Sequence, residues 1–97
     1  MTNDPAITLI DEGAHGEYQA HVADSRAVGR LTWVRHGDVL TAEHALVPTE
    51  IGGRGIAGKL VEALIADARA QGWKIVPECS YVAAAFRRHP EWADLLA

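Results

Sequence analysis

A single cysteine, Cys79, stands among the 97 residues. One thiol excludes an internal disulfide, and it cannot build a zinc site without help from scattered histidines, so no metal centre is expected. Positive charge is also scarce: Lys and Arg number 9 against 13 Asp and Glu, giving a net charge of −4. Nonspecific nucleic-acid binding draws on many phosphate contacts, and that balance argues against it. No apolar run approaches the roughly 20 residues that span a bilayer, and the start of the chain lacks a basic segment followed by an apolar block. A cytoplasmic protein is therefore expected, with no membrane or nucleic-acid partner, as a monomer or weak homodimer. Aromatic residues make up only 6%, and the spacing of Trp33, Trp73 and Trp92 suggests no stacking platform.

What is present is an ordinary globular composition, with 48% hydrophobic and 23% charged residues. A chain of this length builds one core and no second lobe, so residues 1–97 are expected to form a single domain. There is no repeat, low-complexity tract or linker.

Glycine is concentrated in one place. Gly52, Gly53, Gly55 and Gly58 fall within seven residues and run directly into the one long amphipathic helix of the sequence. Such a loop turns through positive φ and approaches a ligand without Cβ interference. The first N–H groups of the helix lack intrahelical acceptors and point outward at the positive end of its dipole, which suits a phosphate or pyrophosphate. Three known loops compete for this stretch. Gly53 to Leu60 follows the nucleotide P-loop pattern until its last position, where Leu60 lacks the hydroxyl that ligates magnesium. Gly53, Gly55 and Gly58 keep the spacing of a dinucleotide fingerprint, with Glu78 near the distance of its acidic partner, but the chain is too short for that domain. The third pattern, [RQ]-x-x-G-x-[GA], is satisfied at Gly55 and Ala57; its ligand is the pyrophosphate of coenzyme A.

The N-terminal half reads as strands over about 7–12, 16–23, 27–35 and 39–47, with turns at Asp24-Ser25-Arg26 and His36-Gly37-Asp38. Alternation in Tyr18, Ala20 and Val22, in Leu31 and Trp33, and in Leu40 and Ala42 makes this an antiparallel meander. After Pro48, the residues Ile56, Leu60, Val61, Leu64, Ile65 and Ala68 share one helical face, and Gly72 closes that helix. A fifth strand over 73–79 follows, with Pro77 at an edge or bulge, then a helix over 82–89 stopped by Pro90, and a final helical turn over 91–96. The expected class is α+β with a mixed sheet. The long helix crosses from the fourth strand to a parallel fifth, and strands that splay past Pro48 and Pro77 expose backbone groups to which an extended, amide-bearing arm such as pantetheine can pair.

Two side chains are candidates for chemistry. Cys79 ends the fifth strand near the expected gap, and His44 on the fourth strand suits a general base near neutral pH. The plainer readings are a small buried hydrophobe for Cys79 and a surface or satisfied histidine for His44. Arg87, Arg88 and His89 either complement the end of their helix or bind outer phosphates of a ligand.

As a set, Glu43-His44 through Pro48, the run from Gly53 to Val61, Val76-Pro77-Glu78-Cys79 and Arg87-Arg88-His89-Pro90-Glu91 resemble the small single-domain GNAT-related N-acetyltransferase-like proteins of the YjdJ type. The resemblance covers nearly the whole chain. It implies a truncated GNAT fold that binds acetyl-CoA or coenzyme A, with pyrophosphate on Gly53, Arg54, Gly55, Ile56, Ala57, Gly58 and Lys59, and pantetheine along the fourth strand near Val47. It also implies Arg87 and Arg88 at the ligand, Cys79 close to the thioester, and His44 across the cleft. The activity implied is acetyl transfer to an amine, of a protein or a small molecule, that the residues do not identify. The alternative is a module that binds or senses acyl-CoA with little turnover. Departures from the family pattern are Ala45-Leu46 where Thr-Glu is common, Gly52 in place of the Arg or Gln that opens the loop, and Ser80 in place of Pro.

Overall fold

The computed structural model describes residues 4–97. Five strands form one sheet in the order β1 (Ala6–Asp11), β2 (His15–His21), β3 (Val28–His36), β4 (Val39–Leu46) and β5 (Lys74–Pro77). The first four make the expected antiparallel meander. A 3-10 turn over Thr49–Ile51 and the helix α1 (Ile56–Gln71) lead from β4 to β5, which lies parallel to it. The helix α2 (Ser80–Arg88) and a 3-10 segment over Pro90–Leu95 complete the chain.

Periodicity accounts for most of this. The inward residues of the meander, Tyr18, Ala20, Leu31, Trp33, Leu40 and Ala42, are buried. They meet the apolar stripe of α1, whose six expected residues from Ile56 to Ala68 are all buried. At the helix end, Gly72 lies in the left-handed region and its N–H donates to the Ala68 carbonyl at 2.9 Å, the cap the sequence predicts. One polar tie crosses the layers: the Tyr18 hydroxyl donates to Asp67 of α1 at 2.7 Å.

Several boundaries differ from expectation. The fifth strand stops at Pro77, which pairs with Ala42, rather than continuing to Cys79. Proline has no N–H with which to extend the ladder, and α2 then starts two residues before its expected first turn. The Thr49–Ile51 turn was not foreseen; it buries Ile51 and carries the chain from β4 toward the glycine loop.

The fourth strand carries the feature that shapes the site. Trp33 pairs with Ala42 and Thr32 with His44, so Glu43 is an extra residue that opposes nothing: a β-bulge. The bulge shifts the phase of the strand. Leu40 and Ala42 are buried before it, whereas after it Ala45 is half-buried and His44 and Leu46 are exposed.

Candidate functional site

The parallel pairing of β4 with β5 runs only from Val39 with Lys74 to Ala42 with Pro77. Beyond Ala42 the two strands part, as expected. β5 gives way to α2, while β4 continues through the bulge with β3 as its one strand neighbour. The other edge of β4 from Glu43 onward therefore offers peptide groups without a strand partner.

The glycine loop lies past the end of that edge. Gly53 and Gly55 have φ of 74° and 73°, a region where L side chains are strained. The first bond of α1 runs from the Lys59 N–H to the Gly55 carbonyl at 3.2 Å. Upstream of it, the N–H groups from Gly53 through Gly58 donate to no backbone or side-chain acceptor among the described residues. No acidic side chain sits in the first turn of α1. Consecutive unpaired donors at the positive end of a sixteen-residue helix are groups to which an anion can bind.

Side chains around these donors are disposed unequally. Lys59 is exposed and has no ion-pair partner among the described residues, and the same holds for Arg87. Arg54 is engaged: its guanidinium grips both oxygens of Asp24, in the β2–β3 hairpin, at 2.9 and 3.1 Å. That contact holds the Asp24 carboxyl below its ordinary range. Arg88 lies over the Tyr81 ring, 5.9 Å from its centroid.

A groove of about 270 Å³ runs from the first turn of α1 along α2, with Gly58, Glu62, Tyr81, Arg88 and Trp92 in its walls. Tyr81 faces Gly58 so closely that a Cβ there would lie 3.6 Å from the tyrosine oxygen. Sequence reasoning missed Tyr81; its one signal was its place directly after Cys79-Ser80.

Cys79 is the N-cap residue of α2 rather than the end of a strand. Its N–H donates to the Ala42 carbonyl at 2.9 Å, and its carbonyl accepts from Ala83 at 2.9 Å. The side chain is partly buried against the core. His44 pairs with Thr32, on the sheet face opposite to Leu31 and Trp33, and is exposed there. The two candidates thus flank the split between β4 and β5 from different sides. Val47, just past β4, is partly buried against the core. Sequence reasoning also gave Glu43 no role of its own; as the bulge residue it is half-buried at the mouth of the split.

A helix N-terminus rich in unpaired donors thus stands beside two parting parallel strands, one of them bulged. A sequence profile of GCN5-related N-acetyltransferases matches residues 17–95, and the chain belongs to that family. Its fold is similar to the NMR solution structure of a GCN5-like protein from Staphylococcus aureus. The TM-score is 0.68 over 100% of this chain and 91% of that one, at 20% sequence identity. Among the described residues no helix is long and apolar enough to cross a membrane, and no cluster of His, Cys, Asp and Glu is placed to hold a metal ion.

Proposed function

We propose that this chain transfers an acetyl group from acetyl-CoA to an amine. The observation that carries the reading is the unbroken set of unpaired N–H groups from Gly53 to Gly58, set beside the open edge of β4. A pyrophosphate needs several converging donors and tolerates no Cβ in its path, and this loop meets both demands. The edge of β4 from Glu43 to Val47 suits the amides of pantetheine. Lys59, Arg87 and Arg88 supply the cationic surroundings, and the groove along α2 adjoins the first turn of α1, on the side to which the nucleotide end of the ligand would extend.

Bound acetyl-CoA supplies a thioester carbonyl that an amine can attack, with the thiolate as leaving group. The chain contributes proton traffic and charge stabilisation around that event. His44 accepts the proton of the attacking amine, and the Cys79 thiol donates a proton to the departing sulfur. Peptide N–H groups on the open edge of β4 stabilise negative charge on the carbonyl oxygen. A transient acyl group on Cys79 is the rival route for the same residue.

The second reading, an acyl-CoA-binding or sensing module, is favoured by one observation. Leu46, where the family pattern the sequence resembles has Glu, is 57% exposed on the same sheet face as His44 and brings no carboxylate to that position.

A thermal-shift series with acetyl-CoA, CoA and ATP, joined to a thiol-release assay across amines and polyamines, tests both. Stabilisation by acetyl-CoA and CoA with thiol release on adding an amine is the expected result. Tight CoA binding without release favours the sensor. Stabilisation by ATP alone overturns the coenzyme A reading.

A further inference from the structure

The ion pair between Arg54 and Asp24 stands in an unusual place. A carboxylate beside an anion cradle works against anion binding, yet Asp24 is held there by its own hairpin. The Ser25 N–H donates to the Val22 carbonyl at 3.4 Å, and the Ala27 N–H to the Ser25 hydroxyl at 3.0 Å, so the turn that presents Asp24 is fixed locally. The glycine loop has no comparable internal bonding between Gly53 and Gly58. Arg54, on a loop without internal backbone bonds, is thus held by a carboxylate on a bonded turn, across thirty residues of sequence.

Both oxygens of Asp24 are used, in the two-pronged geometry by which guanidinium also takes phosphate. Carboxylate and phosphate therefore compete for the same face of Arg54. The pair is open to solvent, with the Arg54 side chain 38% and that of Asp24 67% exposed, so its grip is weak and reversible.

We propose that Asp24 is a built-in competitor for Arg54: it occupies the guanidinium in the free chain and yields it to a ligand that brings a diphosphate to the loop. One phosphate fills the backbone donors while its neighbour draws Arg54 away from Asp24. A single phosphate can fill the backbone donors and leave the pair intact. Asp24 therefore lowers affinity for diphosphates, which must break the pair, more than for a single phosphate. The inference rests on the loop being the phosphate cradle proposed above.

The test is titration calorimetry at fixed ionic strength with CoA, inorganic pyrophosphate and inorganic phosphate, on the wild type, Asp24→Asn, Arg54→Ala and the double variant. Asp24→Ala serves as a second neutral replacement, and melting curves check that each variant is folded. Asp24→Asn should tighten CoA and pyrophosphate by about two- to fivefold, the scale of an exposed ion pair. It should leave inorganic phosphate nearly unchanged and so widen the preference for pyrophosphate over phosphate, and most of the gain should vanish in the Arg54→Ala background. Unchanged or weaker binding in both Asp24 variants overturns the proposal. An equal gain without Arg54 also overturns it, because the carboxylate then acts by plain repulsion. Pyrophosphate separates the two levels of inference: if it binds and CoA does not, the coenzyme A reading fails while the competition between Asp24 and phosphate is still decided.

Discussion

The backbone N–H of Cys79 donates to the carbonyl of Ala42 at 2.9 Å, and this bond marks the point where β4 and β5 part. Ala42 is the last residue of β4 with a partner in β5, and the bulge residue Glu43 follows it directly. Pro77 closes the ladder on the other strand. Cys79 is therefore anchored by its main chain at the base of the split, and its side chain makes no hydrogen bond on which that anchoring depends. The Ala83 N–H, bonded to the Cys79 carbonyl, ties the same residue to the start of α2.

That anchoring makes substitution at Cys79 a clean probe of chemistry. Cys79→Ala should leave the fold intact, since both backbone bonds survive, and should slow thiol release by about 10²–10⁴-fold, the usual scale of general acid catalysis. Radiolabelled acetyl-CoA distinguishes the two roles. Label retained on the wild type and absent from the variant identifies an acyl acceptor, whereas no label with a slowed variant identifies a proton donor. A variant with the wild-type rate removes Cys79 from the mechanism.

The glycine loop separates stability from binding in a second experiment. Gly55 has φ of 73°, so Gly55→Ala should cost about 1–2 kcal/mol of strain and lower the melting temperature along with CoA affinity. Gly58 is the third residue of α1, where alanine is the better helix former by up to about 1 kcal/mol. Its new methyl would rest 3.6 Å from the Tyr81 oxygen, an ordinary contact. Gly58→Ala should therefore raise or preserve the melting temperature while weakening CoA, because the methyl stands between the first turn of α1 and the groove. Melting curves and calorimetry on the two variants read both effects.

The fold was legible in the sequence wherever burial follows a simple period. Tyr18 and Ala20, Leu31 and Trp33, and the α1 stripe declare their buried faces, and Gly72 declares the end of its helix. The bulge was not legible, because the extra residue is a glutamate with no turn chemistry of its own. Extended as a regular strand, the Leu40 and Ala42 alternation would turn His44 and Leu46 inward; the bulge turns them out. The Arg54 contact with Asp24 was hidden for a different reason: a tertiary contact between two exposed residues leaves no local pattern. The positive-φ turn that leads into α1 was readable from the glycine density of residues 52–58. The position of Cys79 as a helix cap followed from Pro77 ending its strand early.

Core packing offers a quantitative check on the layer arrangement. Leu64 is fully buried in the middle of α1, where the helix faces the sheet. Leu64→Ala should destabilise the domain by about 2–5 kcal/mol, through lost burial and the cavity left behind. Denaturant unfolding should show a lower midpoint at unchanged slope. A loss below about 1 kcal/mol would contradict a tightly packed interface.

Stability should fall in acid, and Asp11 is the group to follow. Arg35 donates to both Asp11 oxygens, at 3.1 and 3.0 Å, and to the Gly13 carbonyl at 3.0 Å. Its guanidinium also lies 4.9 Å and 5.0 Å from the ring centroids of Trp33 and Trp73, so one side chain joins the β1–β2 turn to residues of β3 and the approach to β5. The Arg35 hydrogen bond foremost, then the Gly13 N–H, holds the Asp11 carboxyl below its ordinary value of 3.8. A carboxyl depressed in the folded state binds protons more readily when unfolded. Its contribution is therefore present above the unfolded value and is lost as pH falls through the folded one. Asp24 and Asp94, also depressed by their arginine partners, act in the same direction. Stability should be level from neutral pH down to about 5 and decline below about 4. Asp11→Asn should be less stable at neutral pH, with a shallower decline in acid, as measured by urea unfolding across the pH series. A variant whose acid limb is as steep as that of the wild type would show that Asp11 contributes nothing to it.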